Sequence, residues 1–356
     1  MSAVRQPPPR TLDHGYRTLV VRRGRVSGLV GVRSAVVCAL LVALVLALGI
    51  VALGIGTYQL SPAQVVGALL GTDDDAKARL LVVTWRLPRV LFAVACGISL
   101  AISGAIFQSL TRNPLGSPDV IGFSTGSYTG VVLMTLVVGS TGYLDRAAAA
   151  LVGGCATAAV VYLLSLSRNS VRPFRLIIMG IGVGALLGSL NSALMLSTDL
   201  DAAMLTAVWA AGSLYGLGHA QLWPMVALLL VLLPLAALLA PSLRQLELGD
   251  DAARGLGVRA SRVQVSAVIV GVALTALVTA AAGPIAFIAL AAPHVARRLT
   301  RGSGLVLVPS ALVGAFLLLA SDVAAQQLGF PVGVVTVSVG GGYLVWLLTA
   351  EYRRTP

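Results

Sequence analysis

Apolar runs of about 20 residues, the length a helix needs to cross a ~30 Å hydrocarbon layer, recur along this chain from residue 34 to residue 350. Short polar stretches rich in Arg, Pro and Gly separate them. The runs predict about ten membrane-spanning helices, near 34–56, 88–110, 119–139, 147–167, 175–197, 221–243, 263–283, 285–299, 305–322 and 332–350. A shorter apolar stretch, 202–215, predicts a re-entrant or interfacial helix between the fifth and sixth spans. The eighth span is short and carries Pro293, which predicts a helix surrounded by protein rather than lipid.

Composition points the same way. Of the 356 residues 57% are hydrophobic and 11% charged, where a soluble domain carries about 25% charged residues. The expected fold class is therefore an all-α polytopic membrane protein. Residues 1–33 carry seven arginines against one acid, Asp13, together with Pro7-Pro8-Pro9, and predict a disordered basic tail on the cytoplasmic side. Residues 34–352 form the transmembrane domain. Its first apolar run is too long for the core of a cleavable signal peptide and reads as a first span.

The net charge of +12 changes the picture only through its placement. Arginines cluster between apolar runs, without a long basic arm or interleaved aromatics, which argues against nucleic-acid binding. With the N-terminus inside, inner loops hold Arg112, Arg168, Arg172, Arg175, Arg244, Arg254, Arg259, Arg262, Arg297, Arg298, Arg301, Arg353 and Arg354. Outer segments hold only Lys77, Arg79, Arg86, Arg89 and Arg146, with most of the acids. That bias places both termini in the cytoplasm. Ten spans divide into two halves of five, which would have inverted topology. A short echo, Gly104-Ala105-Ile106-Phe107 against Gly283-Pro284-Ile285-Ala286-Phe287, is compatible with that.

Several chemistries are excluded. A nucleotide-binding P-loop needs Gly-Lys-Ser/Thr, yet the only lysine, Lys77, lies between two alanines. Proton- or ion-coupled carriers place ionisable groups near mid-membrane, and no Asp or Glu occupies the centre of a predicted span. No Ser/His/Asp grouping, zinc-type histidine pair or facing carboxylates suggest an enzyme. Cys38, Cys96 and Cys155 lie singly in apolar runs and read as small hydrophobes rather than metal ligands. A passive pore, a structural protein or a channel subunit driven by a separate ATPase remains.

Four polar-ended segments stand out. Arg86-Leu87-Pro88-Arg89 opens the second span; Pro88 suits a first helical turn, while two arginines oppose the helix dipole there. They read either as snorkelling side chains or as cations awaiting an acidic protein. The segment from Gln108 to Asp119 carries Arg112-Asn113-Pro114-Leu115-Gly116-Ser117-Pro118, backbone that needs protein or water around it at membrane depth. Leu248-Gly249-Asp250-Asp251-Ala252-Ala253-Arg254-Gly255-Leu256-Gly257 predicts a short helix between glycines, acidic at its start and basic at its end. The fourth runs from Gly283-Pro284-Ile285 to Pro293-His294 and Arg297-Arg298.

In this order, with Trp209, Gly212-Ser213 and Pro331-Val332-Gly333-Val334-Val335-Thr336, these segments resemble the FecCD/BtuC-type permeases of bacterial ABC importers for ferric siderophores, haem and cobalamin, from about residue 34 to 352. The run Ser103–Asp119 looks most like the ferric-enterobactin, or catecholate, branch. The resemblance implies that Arg86 and Arg89 receive acidic residues of a periplasmic or lipid-anchored substrate-binding protein. It places Asn113 and Leu115 at a cytoplasmic gate. It assigns the coupling helix that enters an ATPase cleft to Leu248, Gly249, Asp250, Asp251, Ala252, Arg254, Gly255, Leu256 and Gly257. It further implies a second permease subunit and an ATPase pair that uses ATP-Mg, with no cofactor, metal or catalytic residue in this chain, in a bacterial inner membrane. The sequence departs from the family where Gln326 replaces an arginine, Ser321-Asp322 replaces Ala-Asp, Gly329 replaces an acid, and Gly340-Gly341-Gly342 replaces Gly-Ala-Pro. These departures favour pairing with a non-identical sister permease. The expected function is import of a ferric siderophore, with haem or cobalamin as the alternative substrate and an energy-independent channel or ion-coupled carrier as the alternative class.

Overall fold

The computed structural model describes residues 18–23, 26–72, 75–140, 142–167, 170–171, 173–302 and 304–352. Two short antiparallel hairpins accompany the helices: β1 (Thr18–Arg23) pairs with β2 (Val26–Gly31), and β3 (Leu166–Ser167) pairs with β4 (Ser170–Val171). The first hairpin corrects the expectation of an unstructured tail. Val20-Val21 and Leu29-Val30 are strand-favouring residues that the density of arginines obscured. Residues 1–17 of that tail lie outside the described residues.

Fourteen helices follow among the described residues: α1 (Val32–Gly54), α2 (Pro62–Leu70), α3 (Ala76–Arg79), α4 (Leu87–Thr111), α5 (Phe123–Leu133), α6 (Tyr143–Ser165), α7 (Pro173–Leu196), α8 (Leu200–Ala210), α9 (His219–Glu247), α10 (Asp250–Gly255), α11 (Ala260–Ala282), α12 (Ile288–Thr300), α13 (Leu307–Leu328) and α14 (Val332–Tyr352). Ten of them correspond to the predicted spans, and α8 to the predicted interfacial helix. Among the described residues seven helical segments are long and apolar enough to cross a bilayer, and α5 and α14 provide shorter apolar stretches. As its proline suggested, α12 is enclosed: Ile288 to Pro293, Ala296 and Thr300 are buried.

The second span begins earlier than the apolar pattern indicated. Asp75 caps α3 by accepting from the Lys77 and Ala78 amides. A π-helical segment, Leu80–Arg86, then runs directly into α4, giving one helical rod from Ala76 to Thr111. The Leu87 amide donates to Val82 O. Pro88, which has no amide proton to donate, sits just past the π segment. Arg86 and Arg89 therefore lie inside a continuous helix rather than at a free N-terminus, so the expected conflict with the helix dipole does not arise.

α4 is the centre of the fold, enclosed by α9, α11, α12 and α13. Glycines permit the closest approaches. A methyl group at Gly97 would lie 2.3 Å from Gly314 O on α13, and one at Gly104 only 1.7 Å from Ala289 O on α12, the small-residue packing that holds membrane helices together. Ser99 Oγ donates to Leu274 O (2.9 Å) and Ser103 Oγ to Gly271 O (2.7 Å), tying α4 to α11 through buried hydroxyls. By contrast α1, α7 and α9 expose most of their apolar surface, as lipid- or partner-facing helices do.

Arg33 Nε donates to Leu299 O (2.7 Å), so the start of α1 sits beside the end of α12. His294 of α12 pairs with Tyr343 of α14. The chain thus enters and leaves at one arginine-rich end. At the opposite end three of the sequence motifs meet. The Ser213 amide donates to Ala282 O (2.8 Å) and the Gly333 amide to Gly212 O (3.1 Å). A methyl at Gly283 would fall 2.3 Å from Trp209 O. Gly283 caps a helix with φ +74° whereas Gly104 is mid-helix, so the echo between their segments does not extend to the backbone.

Candidate functional site

The arginine-rich end is built around the C-terminus of α4. The helix closes in a Schellman turn: the Arg112 amide donates to Ser109 O (3.2 Å) and the Asn113 amide to Gln108 O (3.2 Å). Arg112 occupies the left-handed position of that turn, φ 51°, where glycine is usual. The gate residues predicted from the sequence follow at once. Asn113 Oδ1 accepts from the Leu115 amide (2.9 Å) and Asn113 O from the Gly116 amide (3.0 Å). Thr111 Oγ1 donates to Phe107 O (2.7 Å). A methyl on Gly116 would lie 2.1 Å from that hydroxyl, so the turn packs directly on α4. Leu115 is exposed. Further along, Ser124 Oγ donates to Asp119 Oδ1, while Asp119 Oδ2 is buried without a hydrogen-bond partner.

The predicted coupling segment is α10, set between Gly249 (φ 110°) and Gly257 (φ 85°), conformations that favour glycine. Asp250 and Asp251 start it and Arg254 ends it, as the helix dipole favours. Arg254 pairs with Asp251 (2.8 Å). Ala253 is buried, whereas Leu248 and Leu256, one at each end, are 70% and 60% exposed. Two such exposed leucines around a projecting helix form an apolar contact surface with a charged edge.

The structure joins the Asn113–Leu115 turn to this helix. Arg112 Nε donates to Leu246 O (3.0 Å) at the end of α9, and its Nη2 forms an ion pair with Asp250, the first residue of α10. Gln264 of α11 donates to the other oxygen of Asp250 (3.2 Å). Gln108, in the last turn of α4, receives Arg297 Nη2 (2.7 Å) and donates to Leu290 O (2.9 Å), linking α4 to α12. A cavity of about 340 Å³ lined by Asn113, Glu247, His294 and Arg297 lies between these elements. In the sequence Arg112, Arg297 and Gln108 belong to two of the polar-ended segments, but no role attaches to them or to Gln264. The one available signal was a glutamine inside an apolar run.

At the opposite end the two predicted docking arginines are engaged within the chain. Arg86 donates from Nη1 to Leu53 O (2.8 Å) and from Nη2 to Tyr58 O (2.6 Å), holding the α1–α2 connection. Arg89 grips the fully buried Asp322 of α13 through Nε–Oδ2 (3.0 Å) and Nη2–Oδ1 (2.8 Å), a bidentate, charge-assisted geometry. Gln326 donates to Asp322 Oδ2 (2.9 Å). Arg89, Gln326, Tyr215 and Phe330 line an open cavity of about 910 Å³ whose other wall is the loop that Arg86 holds.

Comparison with known proteins accords with this architecture. The FecCD transport family matches residues 41–350. The chain is 48% identical over 326 residues to the ferric enterobactin transport system permease protein FepG of Escherichia coli K12, covering 90% of this chain and 98% of that protein. It is 35% identical to the Fe(3+)-citrate import system permease protein YfmE of Bacillus subtilis 168, covering 88% and 95%. It is 34% identical to the achromobactin transport system permease protein CbrC of Dickeya dadantii 3937, covering 96% and 98%. A metal-chelate type ABC transporter solved in an inward-facing conformation superposes with a TM-score of 0.77 at 26% identity, over 89% of this chain and 99% of that one. With seven helical segments among the described residues able to cross a bilayer, a glycine-bounded helix at the arginine-rich end and a match over most of its length, this chain is a multi-pass ABC permease and belongs to the FecCD transport family.

Proposed function

We propose that this chain is the translocating subunit of an ATP-driven importer that carries a ferric siderophore of the catecholate class into the bacterial cytoplasm. The observation that carries the importer reading is the projecting α10, with exposed Leu248 and Leu256, bonded through Asp250 to the turn that holds Asn113 and Leu115. Such a lever has a use only if another protein moves it. The catecholate assignment is supported by the similarity to a ferric enterobactin permease. The arginine-rich end is then cytoplasmic, by the positive-inside rule. A pair of ABC ATPases consumes ATP-Mg and pushes α10, and the Asn113–Leu115 turn opens and closes the inner mouth by alternating access. This subunit contributes no catalytic residue.

A substrate-binding protein docks at the opposite end, where Arg86 and Arg89 shape the rim. A second permease, a sister chain rather than a second copy, completes the pathway; Gln326 in place of an arginine is the asymmetry that favours it. Iron-limited growth tests the substrate. A deletion strain supplied with one siderophore at a time is expected to fail on ferric catecholates and to recover with this gene. Failure instead on hydroxamates, haem or cobalamin would overturn the assignment.

A further inference from the structure

We infer that Arg112 is the positioning residue that transmits motion of α10 to the membrane core, through its ion pair with Asp250; this rests on the importer reading above. Three observations converge on it. α10 is bounded by Gly249 and Gly257, both at positive φ with no atom within 4 Å of where a side chain would begin. Both glycines can change φ without a side-chain clash. Its first residue, Asp250, is held by side chains from two different spans, Arg112 of α4 and Gln264 of α11. A displacement of α10 thus reaches α4, the most enclosed helix, without crossing a flexible loop.

The third observation is conformational. Arg112 is left-handed in a position that normally takes glycine, a backbone conformation that strains a residue with a side chain. Such strain persists where surrounding contacts over-determine it and tends to mark switch regions. Here the contacts are Leu246 O and Asp250, the junction of α9 with α10. The same backbone geometry directs the chain into the Asn113–Leu115 turn, which the Asn113 side chain braces by accepting from the Leu115 amide. Arg112 thereby adjoins the gate turn in sequence and is bonded to the lever in space. Gln108, a turn earlier, extends the link to α12 through Leu290 O and Arg297.

The test uses the assembled transporter with its ATPase and partner subunits, and Leu115→Cys as a reporter in a background where Cys38, Cys96 and Cys155 are serine. Maleimide labelling of the reporter is compared with and without ATP and vanadate, so no substrate need be known. With Arg112 intact the nucleotide is expected to change labelling about fivefold or more, the lower range for coupling between two sites. In Arg112→Ala the ATPase still co-purifies and hydrolyses ATP, but labelling no longer responds to nucleotide. The exchanged pair Arg112→Asp with Asp250→Arg restores the response that either single change removes. A full nucleotide response in Arg112→Ala, or no recovery in the exchanged pair, overturns the inference. If Arg112→Ala fails to assemble, Arg112→Gln replaces it under the same two criteria. Failure of the unmodified chain to bind an ATPase would instead overturn the importer reading itself.

Discussion

Asp322 of α13, with no exposed side-chain surface, holds Arg89 of α4 through both carboxylate oxygens, across 233 positions of sequence. The pair fixes the outer ends of two helices whose backbones touch at Gly97 and Gly314. Gln326 supplies a further donor to the same carboxylate. An arginine first read as a cation offered to a partner is thus also an internal strut, which changes what its substitution means.

Removing either half of the pair should be costly, because it strands a buried charge. Arg89→Ala is expected to lower stability by about 3 kcal/mol, at the low end for a broken buried pair because Arg89 keeps some solvent contact. Arg89→Ala with Asp322→Ala should recover much of that loss. Thermal unfolding of the purified permease in detergent measures both. Charge reversal at Arg86 and Arg89 is therefore expected to impair uptake partly through folding, and binding-protein affinity must be compared at matched stability.

Arg86 has a different task, since its two carbonyl partners lie in the last turn of α1 and in the α1–α2 connection. Arg86→Ala should leave the helical body intact while loosening residues 54–60. Amide hydrogen exchange there is expected to accelerate about tenfold, corresponding to about 1.4 kcal/mol of lost local stability. Unchanged protection would remove Arg86 from this role.

The exposed leucines around α10 should matter to assembly and not to folding. Leu248→Asp with Leu256→Asp is expected to weaken ATPase co-purification by about 30-fold or more, as loss of a 2 kcal/mol interface anchor does. Stability of the isolated permease should change by no more than about 0.5 kcal/mol, as is usual for exposed sites.

The packing of α4 on α12 leaves no room for growth. Gly104→Ala would push a methyl group against Ala289 O, 1.7 Å from its ideal position, and should destabilise by about 1–3 kcal/mol through overpacking. Gly182→Ala on α7, where nothing lies within 4 Å, should leave the thermal midpoint of the isolated chain unmoved.

The helical plan was legible because each span is a long apolar run bounded by polar punctuation, and the glycine pair around α10 marked a short helix without further help. The π segment was not legible. Lys77, Arg79, Trp85 and Arg86 look like connecting sequence, whereas buried Ala78 and Val82 and the Arg86 bonds to Leu53 O and Tyr58 O hold this stretch against the fold. The hairpin at residues 18–31 was hidden for the opposite reason, since its arginines and glycines outweighed a few β-branched residues. Most of all, pairings such as Arg112 with Asp250, 138 positions apart, and Arg89 with Asp322 are tertiary facts. Each residue on its own reads as loop charge or snorkelling cation, and only the fold supplies its partner.

The most direct measurement is transport by the reconstituted complex. Proteoliposomes holding this chain, its partner permease and the ATPase, supplied with a binding protein and radio-iron-labelled ferric enterobactin, are expected to accumulate iron only when ATP is present on the α10 side. Leu248→Asp with Leu256→Asp should abolish that accumulation. Iron uptake that proceeds without ATP or without the ATPase would contradict the account.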